Sequence, residues 1–247
     1  SLIMSLLQIV TKNKHTKIIL TTKKIMPYTK VLPEVTISKL TPRKRRFFLK
    51  YLARFLLLFE TVKAKGSFLD SKRVIVTAVP HQSSKDEYLM ILMILALDID
   101  VCYLSAKWTM RRIPNPFMKP KDIDKQGIPW PLGWLQEIIF KKFGAIPVDR
   151  KSNSGQYDSV VQELLKRDNF LLIITPEGRF DATRFRSSFL YLAKELGAEV
   201  MPVQIDYENG ILQFLDSLCL DGTEEEVIKR LRFCFDGIKG RKSRFKA

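Results

Sequence analysis

Imidazoles and thiols are scarce in this chain of 247 residues, which holds two His, His15 and His81, and three Cys, Cys102, Cys219 and Cys234. Two His exclude sites built on several imidazole ligands. Three Cys, far apart and without a C-x-x-C spacing, argue against a disulfide framework or a zinc finger and fit a reducing compartment best. The chain has no G-x-x-x-x-G-K-[ST] phosphate loop, no G-x-G-x-x-G turn, no H-E-x-x-H helix and no G-x-S-x-G nucleophile elbow. Ser83 and Ser84 lie near His81 but on no elbow, which argues against a serine hydrolase. Also missing is an apolar run of the ~18 to 20 residues that a spanning helix requires. The apolar residues 1–10 have their positive charges after them, the reverse of a secretory signal.

Acid is scarce at the two ends. Residues 1–46 carry eleven Lys or Arg against the single acid Glu34, and residues 237–247 carry five and no acid. Nearly all of the net charge of +16 is therefore terminal, and the body is close to neutral. Basic ends suit an anionic surface, either nucleic acid or acidic lipid headgroups, where each Lys or Arg is worth about 1 kcal/mol. They are also compatible with solvated tails. Nucleic-acid binding interleaves aromatics with basic residues, and residues 11–46 offer only Tyr28, so no nucleic-acid partner is expected.

What is abundant is apolar: 46% of residues are hydrophobic and 28% charged, a globular composition with enough material for a core. Residues 47–59 (FFLKYLARFLLLF) follow the basic run Arg43 to Arg46 and place Lys50 and Arg54 four apart, on one helical face. Such a helix can lie in a membrane interface, with Lys50 and Arg54 snorkelling and Phe55 and Phe59 among the contacting residues. The same pattern suits a helix packed on the core.

From Arg73 onward, short β-rich runs alternate with helical stretches. Strands are predicted over residues 74–79, 101–104, 145–148, 170–175 and 199–207, and helices over 86–97, 133–143, 156–167 and 187–196. Pro202 inside the last strand points to an edge or a bulge. This alternation predicts an α/β domain with a central mixed sheet flanked by helices, over residues 73–247 with a basic C-terminal tail. Ahead of it, residues 1–72 read as a basic N-terminal segment with an amphipathic helix.

Polar residues gather at predicted strand ends, where α/β folds place their sites. Pro80-His81-Gln82-Ser83-Ser84-Lys85-Asp86 follows the first strand, and an Asp in the first turn of the next helix can reach back to the His81 imidazole. Such a pair can take a proton from a hydroxyl, the carboxylate fixing the imidazole tautomer; an ordinary loop His and helix-start Asp would look the same. Asp149-Arg150 ends another strand, where a guanidinium suits a phosphate, or forms a surface pair. Pro176-Glu177-Gly178-Arg179 follows residues 170–175, and there Glu177 can accept hydrogen bonds from polyol hydroxyls.

Four blocks in order resemble the lysophospholipid and glycerol-phosphate acyltransferase family, which includes the 1-acyl-glycerol-3-phosphate acyltransferases. H-x-x-x-x-D is matched by His81 and Asp86, G-x-I-x-x-x-R by Gly144, Ile146 and Arg150, P-E-G by Pro176, Glu177 and Gly178, and a V-x-P-V strand by Val200, Pro202 and Val203. The wording A-x-P-H-x-S-x-x-D, G-A-I-P-V-D-R and a late I-D-Y is similar to a compact, mostly bacterial branch. Departures are Pro80 where Asn is commonest, Ser188 where Gly is usual, and P-E-G-R-F for P-E-G-T-R-S, so that either Arg179 takes the Thr place or one residue is absent.

The resemblance implies acyl transfer from acyl-CoA or acyl carrier protein to a hydroxyl of a lysophospholipid, most of all 1-acyl-glycerol-3-phosphate. His81 would be the base, Asp86 its partner, Arg150 the phosphate ligand, and Glu177, Gly178 and Arg179 substrate contacts. It implies no cofactor beyond the acyl thioester as co-substrate, no metal, membrane lipids as partners, and a peripheral or monotopic place on the cytoplasmic face of a membrane.

Overall fold

The computed structural model describes residues 34–113, 127–148, 156–177 and 185–245. Its centre is an eight-stranded mixed sheet with helices on both faces. The elements in chain order are β1 (Glu34–Thr36), α1 (Phe47–Leu57), β2 (Lys63–Ser67), β3 (Arg73–Val79), α2 (Ser84–Leu97) and β4 (Cys102–Ala106), followed by a 3-10 turn. Then come β5 (Arg112–Ile113), β6 (Ile128–Pro129), α3 (Gly133–Lys142), β7 (Ala145–Val148), α4 (Gln156–Leu165) and β8 (Phe170–Ile174). The chain continues through α5 (Ser188–Leu196), β9 (Glu199–Asp206), β10 (Ile211–Phe214) and α6 (Glu224–Phe233). β5 and β6 form a separate two-stranded hairpin.

Strand order in the main sheet is β1-β2-β10-β9-β3-β8-β4-β7. β9, β3, β8, β4 and β7 are mutually parallel, while β10 runs against β9 and carries β2 and β1 in its own direction. The central strands are apolar throughout because both faces are covered. Val74, Val76 and Ala78 of β3 pack under α1 and α2, and Ile75 and Val79 pack under α4, α5 and α6.

Three expectations need correction. The boundary at 72/73 does not separate two bodies, since β1 and β2 hydrogen-bond into the same sheet as β3. β2 reads Lys-Ala-Lys-Gly-Ser and buries only Ala64 fully, too little apolar pattern to announce a strand. Pro202 sits in an interior strand with unbroken register to β3, opposite Thr77, and marks neither an edge nor a bulge. Its carbonyl accepts from Leu215, just past the end of β10, so the ring nitrogen also faces that side and no bond to β3 is lost. Third, the basic C-terminal residues do not form a free tail. Lys239 and Arg244 pair in a β-bridge, and Phe245 stacks on Phe185 at 5.5 Å and meets Phe235 edge-on.

α1 packs on the core through one face and leaves aromatics exposed on another. Ala53 and Leu57 are buried against the α2 side of the core, while Phe47, Phe48 and Phe59 are 75%, 75% and 72% exposed. The basic run before it is pinned: Lys44 and Arg46 both pair with Asp100, and Arg46 N–H donates to Asp98 Oδ1. No helix among the described residues is long and apolar enough to cross a membrane.

Candidate active site

Parallel strands bring their C-terminal ends to one rim, and β9, β3 and β8 are neighbours there. β3 ends at Val79 and delivers His81, β8 ends at Ile174 and delivers Glu177, and β9 ends at Asp206 and delivers Tyr207. His81, Asp86 and Glu177 are all buried.

Asp86 stands in the first turn of α2, where the helix dipole favours a carboxylate. Its Oδ2 accepts the amides of Gln82 and Ser83 at 2.7 and 2.8 Å, closing the turn that follows His81. Oδ1 accepts the phenolic O–H of Tyr207 at 2.6 Å. That phenol is pushed well above its ordinary range, first by burial and then by its bond to Asp86, so it stays a donor.

His81 is fixed from the other side. Glu177 Oε2 accepts its backbone N–H at 2.6 Å, tying the turn after β8 to the loop after β3. Burial raises the Glu177 pKa above the usual carboxylate range, the His81 amide and imidazole oppose this, and the nearby charge of Asp86 adds to it. The Nε2 edge of His81 faces Glu87 Oε1 at 3.4 Å, and the Glu87 side chain is 56% exposed.

The other motif residues divide. Gly144 has φ of +89°, and a Cβ there would lie 1.9 Å from the Val101 carbonyl, so only glycine fits between α3 and β7. Ile146, Val200 and Val203 are core residues. Pro176 accepts the amide of Arg186 through its carbonyl at 2.8 Å. Arg150, Gly178 and Arg179 lie outside the described residues. On α1, Lys50 is half-buried, and Phe55 and Phe59 form an exposed edge-to-face pair at 5.3 Å. Arg54 is half-buried, and its Nε donates to the Ala96 carbonyl in the last turn of α2 at 3.0 Å, where unpaired helix carbonyls favour a cation.

Motif reading gave no role to Glu87, Tyr207 or Gln82. Tyr207 carried one signal, its place in the late I-D-Y at the end of a predicted strand. Gln82 showed none, because its partners are more than 150 residues away: Nε2 donates to Ser243 Oγ and to the Ser243 carbonyl, and Oε1 accepts the amides of Lys242 and Ser243.

The fold and this rim define an α/β protein with a buried His and two carboxylates at the C-terminal ends of parallel strands. Residues 129–206 match the sequence model of the acyltransferase family, and over that stretch the resemblance read from the motifs holds. Glu177 lies inside the match, and His81 and Asp86 lie before it. A similar solved structure is the 1-acyl-sn-glycerophosphate (LPA) acyltransferase PlsC from Thermotoga maritima. It is 18% identical, with 74% of this chain and 76% of that chain covered and a TM-score of 0.46. No curated protein matches the chain.

Proposed function

We propose that this protein transfers a fatty acyl group from an acyl thioester, acyl-CoA or acyl carrier protein, to a hydroxyl of a lysophospholipid, with 1-acyl-glycerol-3-phosphate as the first acceptor to test. The observation that carries the reading is the buried group of His81, Asp86 and Glu177 at one rim, beside a stretch that matches the acyltransferase family.

His81 takes the proton of the acceptor hydroxyl at its Nε2 edge as the oxygen attacks the thioester carbonyl. Collapse of the tetrahedral intermediate breaks the carbon–sulfur bond, and the imidazolium returns the proton to the departing thiolate. Asp86 holds the loop that carries the base and offsets the imidazolium charge. Glu177 fixes the His81 backbone with one oxygen and leaves the other for an acceptor hydroxyl. Arg150 takes the acceptor phosphate, and Gly178 and Arg179 complete the acceptor site. Holding hydroxyl and thioester within about 3–3.5 Å supplies much of the acceleration. The exposed aromatics of α1, Phe55 and Phe59 among them, and Lys50 seat the protein on the cytoplasmic face of a membrane, where both the acceptor and the product reside.

Purified protein incubated with a panel of lysolipids and oleoyl-CoA or oleoyl carrier protein, read by lipid mass spectrometry, tests the reaction. His81→Ala is expected to lower acylation by at least about 10²–10⁴-fold while leaving vesicle binding intact. Full turnover in that variant removes His81 as the base. If no lysolipid gains a chain, the acyl-transfer reading falls and a lipid-surface binding module remains.

A further inference from the structure

The C-terminal hairpin reaches the candidate active site. Ser243 and Lys242 surround the Gln82 side chain with four hydrogen bonds of 2.8 to 3.3 Å, one residue from His81. Gly240 presses on the same loop: a Cβ there would lie 2.5 Å from Gln82 Oε1 and 2.7 Å from Pro80 Cγ. The Tyr207 amide donates to the Lys239 carbonyl at 2.8 Å, so the hairpin also touches the residue that holds Asp86. Its root is fixed by Arg244, which pairs through Nη2 with both oxygens of Glu208 at 2.7 Å.

The charges around this hairpin are unbalanced. Asp86, Glu87 and Glu177 stand at the rim, and Lys85 is committed to Glu60 at 2.5 Å. Arg244 is committed to Glu208. Arg241 and Lys242, exposed at the hairpin tip, take part in no ion pair among the described residues. Arg241 lies close enough to Tyr207 for its charge to act on the phenol. A phosphate arriving beside three carboxylates needs cations held in place, and these two are carried on a backbone that cannot swing away without releasing Gln82.

We propose that Arg241 and Lys242 form an anion-binding rim of the active site that takes a phosphate group of a substrate. The identity of that substrate rests on the acyl-transfer reading; the anion site does not. A phosphate could come from the acceptor's glycerol phosphate or from the nucleotide end of a CoA donor, and the same chemistry recognises either.

The test compares wild type, Arg241→Ala/Lys242→Ala, the conservative Arg241→Lys/Lys242→Arg, and a control that removes two exposed charges elsewhere, Lys39→Ala/Lys65→Ala. Each is titrated by calorimetry with glycerol 3-phosphate and with adenosine 3′,5′-bisphosphate, without lipid. The Ala pair at the tip is expected to weaken one of the two ligands by about 10-fold or more, with the control within about 2-fold and the conservative pair close to wild type. The ligand affected identifies the source of the phosphate, and turnover then shows a raised KM for that substrate alone. Equal affinities in the tip variant and wild type, equal weakening in the control, or no binding of either ligand to wild type overturns the proposal. If wild type transfers no acyl group but the tip variant still loses its ligand, the reaction fails while the anion site stands. Lost binding to anionic vesicles with both soluble affinities unchanged assigns the two charges to the membrane and overturns the site.

Discussion

Removing the phenolic oxygen of Tyr207 isolates one of the bonds that hold Asp86. A hydrogen bond to a charged group is worth about 1.5–3 kcal/mol, and the half-buried position of Tyr207 puts it at the lower end. Tyr207→Phe is therefore expected to lower unfolding free energy by about 1.5 kcal/mol in urea titrations. Under the proposed mechanism, in which Asp86 acts on the base and not on substrate binding, it should also reduce kcat by about 10-fold with KM little changed. A Phe variant with wild-type kcat would show that the Gln82 and Ser83 amides position the carboxylate alone. Glu177 makes a different prediction. Its folded pKa is raised, chiefly by burial, so the folded state binds more protons than the unfolded chain just above the ordinary carboxylate pKa. Its contribution to stability is full below the unfolded pKa and is lost as pH rises toward the folded value. Glu177→Gln keeps an acceptor for the His81 amide and removes that loss. Thermal melts from pH 4 upward should show the Gln variant gaining on wild type as pH rises, and parallel curves would refute this reading of Glu177.

At the scale of elements, α1 shows how one pattern can serve two surfaces. Ala53 and Leu57 face the core, Arg54 is fixed to the end of α2, and the aromatics are left outside. Full burial of a Phe side chain is worth about 1.5–3 kcal/mol, and an interface buries only part of it. Phe55→Ser/Phe59→Ser is expected to weaken partition onto anionic vesicles by about 10-fold or more in sedimentation, with the melting temperature unchanged because neither side chain is in the core. Unchanged partition would move the contact elsewhere. The central strands were legible because burial on both faces makes them continuously apolar. β2 was not, since it buries one side chain fully among lysines, and neither were β10 and α6, which carry none of the four motifs. α6 does advertise itself locally: Thr223 and Glu226 form a reciprocal cap, with acids in the first turn and Arg230 and Arg232 in the last.

For the molecule as a whole, residues that share a short motif were found from sequence, and residues that meet only through topology were not. His81 and Asp86 are five apart on one loop and helix start, and Glu177 follows the strand paired with β3. Tyr207 arrives through β9 and Gln82's partners through the final hairpin, and no local spacing encodes either meeting. The same topology has a kinetic consequence. The rim joins residues 81–86, 177, 207 and 240–243, which become neighbours only after the sheet has assembled. Distant pairings of this kind form late and slowly. A partly folded chain, or a proteolytic piece, thus holds the His81 imidazole without the Glu177, Tyr207 and Gln82 contacts that surround it, and the rim exists only in the finished molecule.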